Sequence, residues 1–484
     1  MALPRSRNLF HRRLHWLPAL ICLGLLTSCG NGGGAGSSKG TNGNTGTTGT
    51  LLVQLSDATA DQVAALTLTF SSLTLTSQSG STVTVFSAPV TVEITRLAGT
   101  STPLAIVTNI PQGTYSQMSL ILGSPALTLI SPTSGQPSHP NLPAGPFTVS
   151  PTLNPALTIS STPMVLTVDV NTAASLTSDS LGNISFSPSV NVVTAALPAA
   201  GLNPFNGQLE HVVGLVTAVA SSSFTISLRF GDQSLAFNVD SNTKFTGIGG
   251  LSQLSAGQLA VVDGSLQSNG SFLAGSVKAS AVPLFGFHTQ GLLTARIPAP
   301  AAAATSFQMA ARELTGGSVQ GNFLGNGLNV DVLNSAYAVN QVGIDLTGLP
   351  FTPTFDATTI VPGQAVEATS TGQLLPATTT FTGVGAFPPA LVFGEVSTPE
   401  VDLQQQPLSG TVSNLTATNF TLTVAGDSVF STLTGATSVV VYVQPSTQVL
   451  GITLSNGASV TVRGLLFKDS STYRLVAARV VPKV

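Results

Sequence analysis

Apolar residues alternate with Thr and Ser along most of this chain, and this period-two pattern constrains the fold more than any other feature. Leu66-Thr67-Leu68-Thr69-Phe70 is one such run, and Ser, Gly or Asp bounds it and the others. Successive side chains of a β-strand point to opposite faces of a sheet, so alternation predicts strands with one buried face. After residue 28 no stretch of about 18 consecutive apolar residues occurs, which argues against a transmembrane helix there. The pattern predicts an all-β protein.

Charged residues are scarce and dispersed. Asp, Glu, Lys and Arg make up 7% of the 484 residues, against about a quarter in typical soluble domains. Binding to a phosphate backbone needs a basic stripe, and none is found, so a nucleic-acid partner is not expected. The length predicts three or four domains, because one hydrophobic core rarely serves more than about 200 residues.

Residues 1–28 have the features of a secretory signal peptide. Four arginines precede the apolar segment Trp16–Leu26, which is too short to span a membrane as a stable helix. The segment runs into Leu26-Thr27-Ser28-Cys29, which resembles the lipobox of bacterial lipoproteins. That resemblance implies cleavage between Ser28 and Cys29 and a covalent lipid on the Cys29 thiol. A plain signal peptide and an uncleaved anchor are the alternatives.

The segment after the signal peptide predicts a tether. Residues 29–49 are rich in glycine, and such a coil has a root-mean-square reach of about 25 Å. The only other cysteine, Cys22, lies in the signal peptide, so no disulfide is expected in the exported protein. Gly30 occupies the position directly after the lipidated cysteine. In lipoproteins, an Asp at this position tends to retain the protein at the inner membrane. By resemblance, the absence of Asp here favours a lipid-anchored location in the cell envelope, at the outer membrane.

Residues 50–200 predict a β-sandwich of short strands joined by turns. Gly113 belongs to the turn Pro111–Tyr115, which leads into another strand. The region resembles an N-terminal domain of unknown function found in many bacterial lipoproteins. The matching segments are Leu55–Asp61, Ile110–Tyr115 and Asp169–Pro188. The resemblance implies a fold and no established activity.

The rest of the chain repeats itself. A pattern with Gly257 and Gly264 seven residues apart recurs as Gly457 and Gly464. We predict three small, partly open β-barrels of the OB type, at 208–284, 288–390 and 406–484, the middle one degenerate. The glycines are expected where a turn needs a positive φ or a barrel strand bends sharply. The modules resemble a second uncharacterised domain of bacterial secreted proteins and lipoproteins.

Residues able to carry chemistry are few. After the signal peptide only His139, His211 and His288 could act as a base, and their spread over loops and module joints does not suggest convergence. No Gly-x-Ser-x-Gly or His-Glu-x-x-His motif occurs after the glycine-rich segment 29–49, so enzymatic activity is not expected. Because cysteine ligands are absent and the histidines are scattered, only oxygen ligands remain for a metal ion. Calcium, which binds to oxygen ligands, is therefore the one cofactor left open besides the lipid. Its candidate ligands are Asp57, Asp61, Asp169, Asn171 and Asp179, although Asp and Asn at strand ends more often form turns than bind metal.

The sequence therefore predicts a non-enzymatic envelope lipoprotein that acts as a surface spacer or interaction module, with the membrane as partner through its anchor. The alternative is a lipoprotein that binds an extracellular polysaccharide or a small ligand, and a polysaccharide or an envelope protein is the candidate partner besides the membrane. Glycan sites commonly use Trp or Tyr platforms, but the only tryptophan, Trp16, lies in the signal peptide. An envelope hydrolase is a third, less favoured class.

Overall fold

Strands make up most of the regular structure, and the prediction of an all-β protein is confirmed. The computed structural model describes residues 47–58, 60–180, 182–197, 207–228, 234–281, 286–299, 302–316 and 323–483. The predicted signal peptide, Ser28, Cys29 and most of the tether lie outside these residues. In the described part there are two short α-helices, α1 (Thr172–Ser175) and α2 (Val429–Thr434). No helix there is long and apolar enough to cross a membrane.

The first thirteen strands form the predicted β-sandwich. They are β1 (Thr48–Ala58), β2 (Val63–Ser77), β3 (Thr82–Phe86), β4 (Val90–Glu93), β5 (Thr102–Pro111), β6 (Gly113–Ile130), β7 (Pro137–Ser138), β8 (Phe147–Val149), β9 (Thr152–Ile159), β10 (Met164–Asn171), β11 (Leu176–Ser178), β12 (Ile184–Phe186) and β13 (Val190–Ala196). One sheet has the order β13-β10-β1-β5, and the other is built around the long antiparallel pair β2 and β6. Leu51 and Val53 of β1 share the core between the sheets with Leu68 and Phe70 of β2.

The sheet that contains β1 is covered on both faces. Alternation points Leu51 and Val53 into the sandwich and Leu52 the other way. Leu52 and Val165 join a second core, to which Leu209 of the following region belongs. β1 is therefore buried along most of its length, and the sandwich shares its sheet with the next module.

Six strands follow and form what we call the first ring: β14 (Gln208–Val219), β15 (Ser223–Leu228), β16 (Ser234–Asn238), β17 (Lys244–Thr246), β18 (Gln258–Leu266) and β19 (Phe272–Ala281). Their order is β16-β15-β14-β18-β19-β17. β16 also pairs in parallel with β19, so five of the strands close on themselves. Phe224, Ile226 and Phe237 fill the interior.

The next seven strands form an open sheet, the middle sheet: β20 (Phe287–Ile297), β21 (Ser306–Gly316), β22 (Gly327–Asp331), β23 (Ala336–Val339), β24 (Ala365–Ser370), β25 (Val392–Ser397) and β26 (Glu400–Leu403). Their order is β23-β26-β24-β20-β21-β22-β25. The first ring ends in a single strand, β19. The middle sheet ends instead in two short strands, β25 and β26, which Thr398 and Pro399 separate. Proline lacks the amide hydrogen that a continuous ladder needs. The sheet continues to Leu403, beyond the predicted end at residue 390.

The last five strands form a closed barrel, the terminal barrel: β27 (Gln406–Ser413), β28 (Asn419–Thr423), β29 (Ser438–Val449), β30 (Ser459–Asp469) and β31 (Thr472–Pro482). The ring order is β27-β28-β29-β31-β30, with β29 and β31 parallel. The first ring closes by the same kind of parallel pairing. The predicted number of repeats stays a prediction.

The repeated glycines have two different structural causes. Gly257 and Gly457 adopt φ of +90° and +89°, a left-handed conformation that suits glycine, and Gly113 has φ of +153°. Gly264 and Gly464 stand at bulges in the β18–β19 and β30–β31 ladders. A Cβ on Gly264 would lie 2.5 Å from the backbone carbonyl oxygen at position 273, and a Cβ on Gly464 would lie 2.3 Å from the backbone carbonyl oxygen at position 476. Close backbone approach explains this second pair.

Candidate functional site

One face of the middle sheet carries a row of buried polar side chains. The ladder places Gln290 of β20 directly opposite Glu367 of β24 and Glu313 of β21, and Glu367 opposite Asp402 of β26. Directly opposed residues share a face of a sheet, and so do residues two positions apart. His288 and Glu400 therefore project from this same face. We call it the polar face, formed by His288, Gln290, Glu313, Glu367, Glu400 and Asp402, all of which are buried except the partly exposed Glu400.

Cations from two other modules meet the polar face. Lys278 of β19 places its Nζ 3.1 Å from Oε1 of Glu367 and 3.5 Å from Oε1 of Glu400, and it also contacts Oδ2 of Asp402. From the sandwich, Arg96 brings its Nη1 within 3.6 Å of Oε2 of Glu313. The sandwich, the first ring and the middle sheet thus converge on one buried cluster of charges.

A bulge in β14 supplies a further member of the cluster. The register with β18 shifts between Leu209 and Val212, and His211 lies within the shift with a φ of +53°. This left-handed conformation is uncommon for a residue with a Cβ, and bulges re-aim side chains. The backbone N–H of His211 donates to Oδ1 of Asp263 at 2.8 Å, which holds the bulge. The imidazole of His211 is thereby directed at the polar face.

Two histidines and one glutamate come together there. Nε2 of His211 is 3.7 Å from Oε2 of Glu367, and Nδ1 of His288 is 3.6 Å from Oε1 of the same carboxylate. Their ligand atoms all lie within 4.8 Å of one another, and the two rings are 5.8 Å apart between centroids. Oε2 of Glu313 is 3.7 Å from Nε2 of His211. All four side chains are buried.

Several of these atoms have no hydrogen-bond partner. Nε2 of His211, both ring nitrogens of His288 and Oε2 of Glu313 are buried without one. Buried polar atoms are hydrogen-bonded in the great majority of cases, and each unsatisfied one costs about 1–3 kcal/mol. Three unpaired ring nitrogens in one cluster are therefore a feature that ordinary core packing does not explain.

Burial and charge determine the protonation of the cluster. Burial, followed by the neighbouring His288 and Arg96, lowers the pKa of His211 well below its usual value. Burial likewise lowers the pKa of His288 to about 4. Burial opposes the charge of Lys278, but Glu367 and Asp402 outweigh it and the pKa of Lys278 is raised. At neutral pH both imidazoles are neutral and Lys278 is charged.

Burial also acts on the carboxylates of the cluster. It raises the pKa of Asp402 to about 7, with the charge of Glu367 adding to the effect. It raises the pKa of Glu367 too, although Lys278 opposes the shift. Gln404 donates from Nε2 to Oε2 of Glu367 at 2.8 Å, so this carboxylate is oriented from two sides.

The sequence did not reveal this cluster. The expectation that the histidines stay apart is wrong for His211 and His288, because the module joints on which they lie meet in space. His139 lies elsewhere, with Nε2 3.4 Å from the carbonyl oxygen of Gly325. The one available signal was the presence of His288, Gln290 and Glu367 in two segments that also carry apolar strand residues.

The residues predicted as calcium ligands take part in separate contacts. Asp57 accepts from Oγ1 of Thr172 at 2.5 Å, Asp169 from Oγ of Ser56 at 2.8 Å and Asp61 pairs with Lys483 at 2.6 Å. Asn171 caps α1 by accepting from Ala174 N, and Asp179 accepts from the backbone N–H of Asn183. Among the described residues, Asp57, Asp61, Asp169 and Asp179 do not form a close carboxylate trio. Calcium binding there stays a prediction.

Comparisons with known proteins identify two domains. Residues 48–188 match a family described as Domain of unknown function (DUF4382), and residues 213–278 match Domain of unknown function (DUF5666). The first match coincides with the sandwich and the second with the first ring. No curated protein matches the chain. The structure and the comparisons together define an all-β protein that contains two domains of unknown function.

Proposed function

We propose that this chain is a lipid-anchored envelope protein whose β-modules form a rigid, non-enzymatic scaffold or interaction module. The observation that carries the proposal is the buried contact between modules. A flexible string of independent domains would have hydrated joints, whereas here the modules share apolar cores, buried hydrogen bonds and a buried polar cluster.

Shared cores are the first kind of contact. Ala64 and Ile130 of the sandwich, Leu292 of the middle sheet and Leu433 near the terminal barrel belong to one hydrophobic cluster. Leu465 and Phe467 of the terminal barrel join the core of the middle sheet. Burying apolar area contributes about 25 cal/mol per Å², and separating the modules would expose it again.

Buried arginines are the second kind. Arg312 of β21 donates to the carbonyl oxygen of Ala64, Arg463 to that of Arg96 and Arg479 to that of Gly99. Hydrogen bonds to charged groups contribute about 1.5–3 kcal/mol each. Each of these three bonds joins the sandwich to a later module, so the first module is fixed to the rest at three separate points.

The surface favours a scaffold over a glycan receptor. Tyr115, Tyr442 and Tyr473 are buried and Tyr337 is half-buried. The large apolar side chains exposed on the described surface are aliphatic, such as Leu333 and Leu375. A sugar platform of exposed aromatic rings is not among the described residues. A small polar ligand would instead use the small cleft between modules that Asp57, Arg312 and Gln406 help to line.

The anchor is tested by metabolic labelling with palmitate. Wild type and Cys22→Ala are expected to carry label and to sediment with the membranes, because the diacylglyceryl group that contains the labelled fatty acid is attached to the Cys29 thiol. Cys29→Ala should carry no label and should leave the membrane fraction. Cys22→Ala is the matched control, since it removes the other cysteine of the leader. Label on Cys29→Ala, or unlabelled wild type, would contradict the anchor.

A further inference from the structure

We propose that His211, His288 and Glu367 bind a divalent transition-metal ion, with zinc the best match, at the joint between the first ring and the middle sheet. His211 comes from the first ring, and the other two come from neighbouring strands of the middle sheet. A metal ion held by all three would connect the two modules directly.

The donor spacing fits a tetrahedral ion. Zinc lies about 2.0–2.2 Å from imidazole nitrogen and carboxylate oxygen, which places two donors of a tetrahedron about 3.4 Å apart. The observed separations from Glu367 are 3.6 Å to His288 and 3.7 Å to His211. These two distances end on different oxygens of the carboxylate, and the three ligand atoms lie within 4.8 Å of one another, so metal binding requires side-chain rotations that draw the donors closer together. Oε2 of Glu313, 3.7 Å from Nε2 of His211, is placed to supply a fourth ligand.

The donor types select the class of ion. Two imidazoles and a carboxylate form a known zinc-binding set, whereas calcium prefers oxygen ligands throughout. Outer-shell contacts are also present, because Lys278 and Gln404 both contact the Glu367 carboxylate. Such contacts fix the orientation of a ligand before the metal binds.

The negative charge of the polar face also favours a bound cation. Two buried carboxylates, Glu313 and Glu367, both lie 3.7 Å from Nε2 of His211. A divalent cation between these groups would offset the cost of burying their negative charge. Coordination would also use Nε2 of His211 and one nitrogen of His288, which are buried without hydrogen bonds.

The role would be structural. The three ligand side chains are buried, so a bound ion would have little access to a substrate. The site reinforces the rigid arrangement proposed above, but its existence does not depend on the lipid anchor, so either proposal can fail without the other.

The test is a titration of the full mature protein, untagged and in detergent, after removal of metal with a chelator. Co²⁺ is added first, because its visible absorption reports tetrahedral coordination, and Zn²⁺ is then added in competition. We expect one equivalent of Co²⁺ per chain, displaced by one equivalent of Zn²⁺. Absence of a tetrahedral cobalt spectrum, or binding without a fixed stoichiometry, would overturn the proposal.

Variants locate the site. His211→Ala and Glu367→Gln should weaken the affinity by at least about tenfold, while His139→Ala, the matched histidine outside the cluster, should leave it unchanged. Circular dichroism establishes that each variant is folded, and the wild-type stoichiometry stands without any variant. Unchanged affinity in folded His211→Ala, or an equal loss in His139→Ala, would assign the metal to another part of the chain.

Discussion

Asp57 is a buried acid whose surroundings oppose its ionisation. Thr172 donates to its Oδ1, but Oδ2 has no hydrogen-bond partner. Burial raises the pKa of Asp57 well above its ordinary value, and the nearby carboxylates of Asp169 and Glu93 add to the rise. Burial therefore disfavours the ionised form of Asp57 in the folded protein, whereas the unfolded chain imposes no such cost.

Asp57→Asn should consequently stabilise the protein at neutral pH but not in acid. A raised folded pKa contributes stability below the unfolded pKa of about 3.9, and this contribution is lost as the pH rises towards the folded value. Relative to wild type, we expect Asp57→Asn to gain about 1 kcal/mol in free energy of unfolding between pH 4 and pH 7.5. Urea unfolding at both pH values measures the difference in free energy of unfolding between Asp57→Asn and wild type. Asp427→Asn, at an exposed position, is the control. A difference between Asp57→Asn and wild type that is the same at both pH values would refute the linkage.

Irregular positions within strands create the contacts between modules. The ladder of β2 with β6 shifts between Val63 and Ala65, so the carbonyl of Ala64 is turned out of the regular pairing. Nε and Nη2 of Arg312 donate to it at 2.9 and 2.6 Å. One bulge thus provides the acceptor that ties the sandwich to the middle sheet, as the bulge at His211 directs its ring to the polar face.

Arg312→Met should loosen this joint. Methionine keeps an apolar stem of similar length but removes both donors and leaves the buried Ala64 carbonyl unsatisfied. We expect a loss of about 1–3 kcal/mol and faster amide hydrogen exchange in β2 and β21. Lys244→Met, at an exposed position, should change stability by less than about 0.5 kcal/mol. Exchange that stays as slow as in wild type would show that the bond does not stabilise the joint.

The sequence predicted the strands better than their irregularities. Alternation identified β2, because the spacing of apolar and polar residues along a strand indicates which of its faces is buried. A bulge leaves no comparable trace, since Ala64 and His211 are ordinary residues whose conformation depends on the partner strand. Leu52 was equally hidden, because alternation does not reveal that the second face of β1 is covered by another module. The candidate site depends on such features and so could not be predicted from the sequence.

At the scale of the whole molecule, the described residues between 47 and 483 form one compact unit. The division into a sandwich, a ring, an open sheet and a barrel describes the strand pairing, while the cores and the buried arginines cross those divisions. A chain of this length would ordinarily unfold in stages, domain by domain. Here the loss of one module would expose apolar surface and unpaired charges on its neighbours.

Differential scanning calorimetry of the mature protein carrying Cys29→Ala, which needs no detergent, tests this arrangement most directly. Because the modules share cores and buried hydrogen bonds, the account predicts a single cooperative heat-absorption peak that includes the sandwich and the terminal barrel together. Two or more separate peaks, with the sandwich melting independently of residues 406–482, would contradict it.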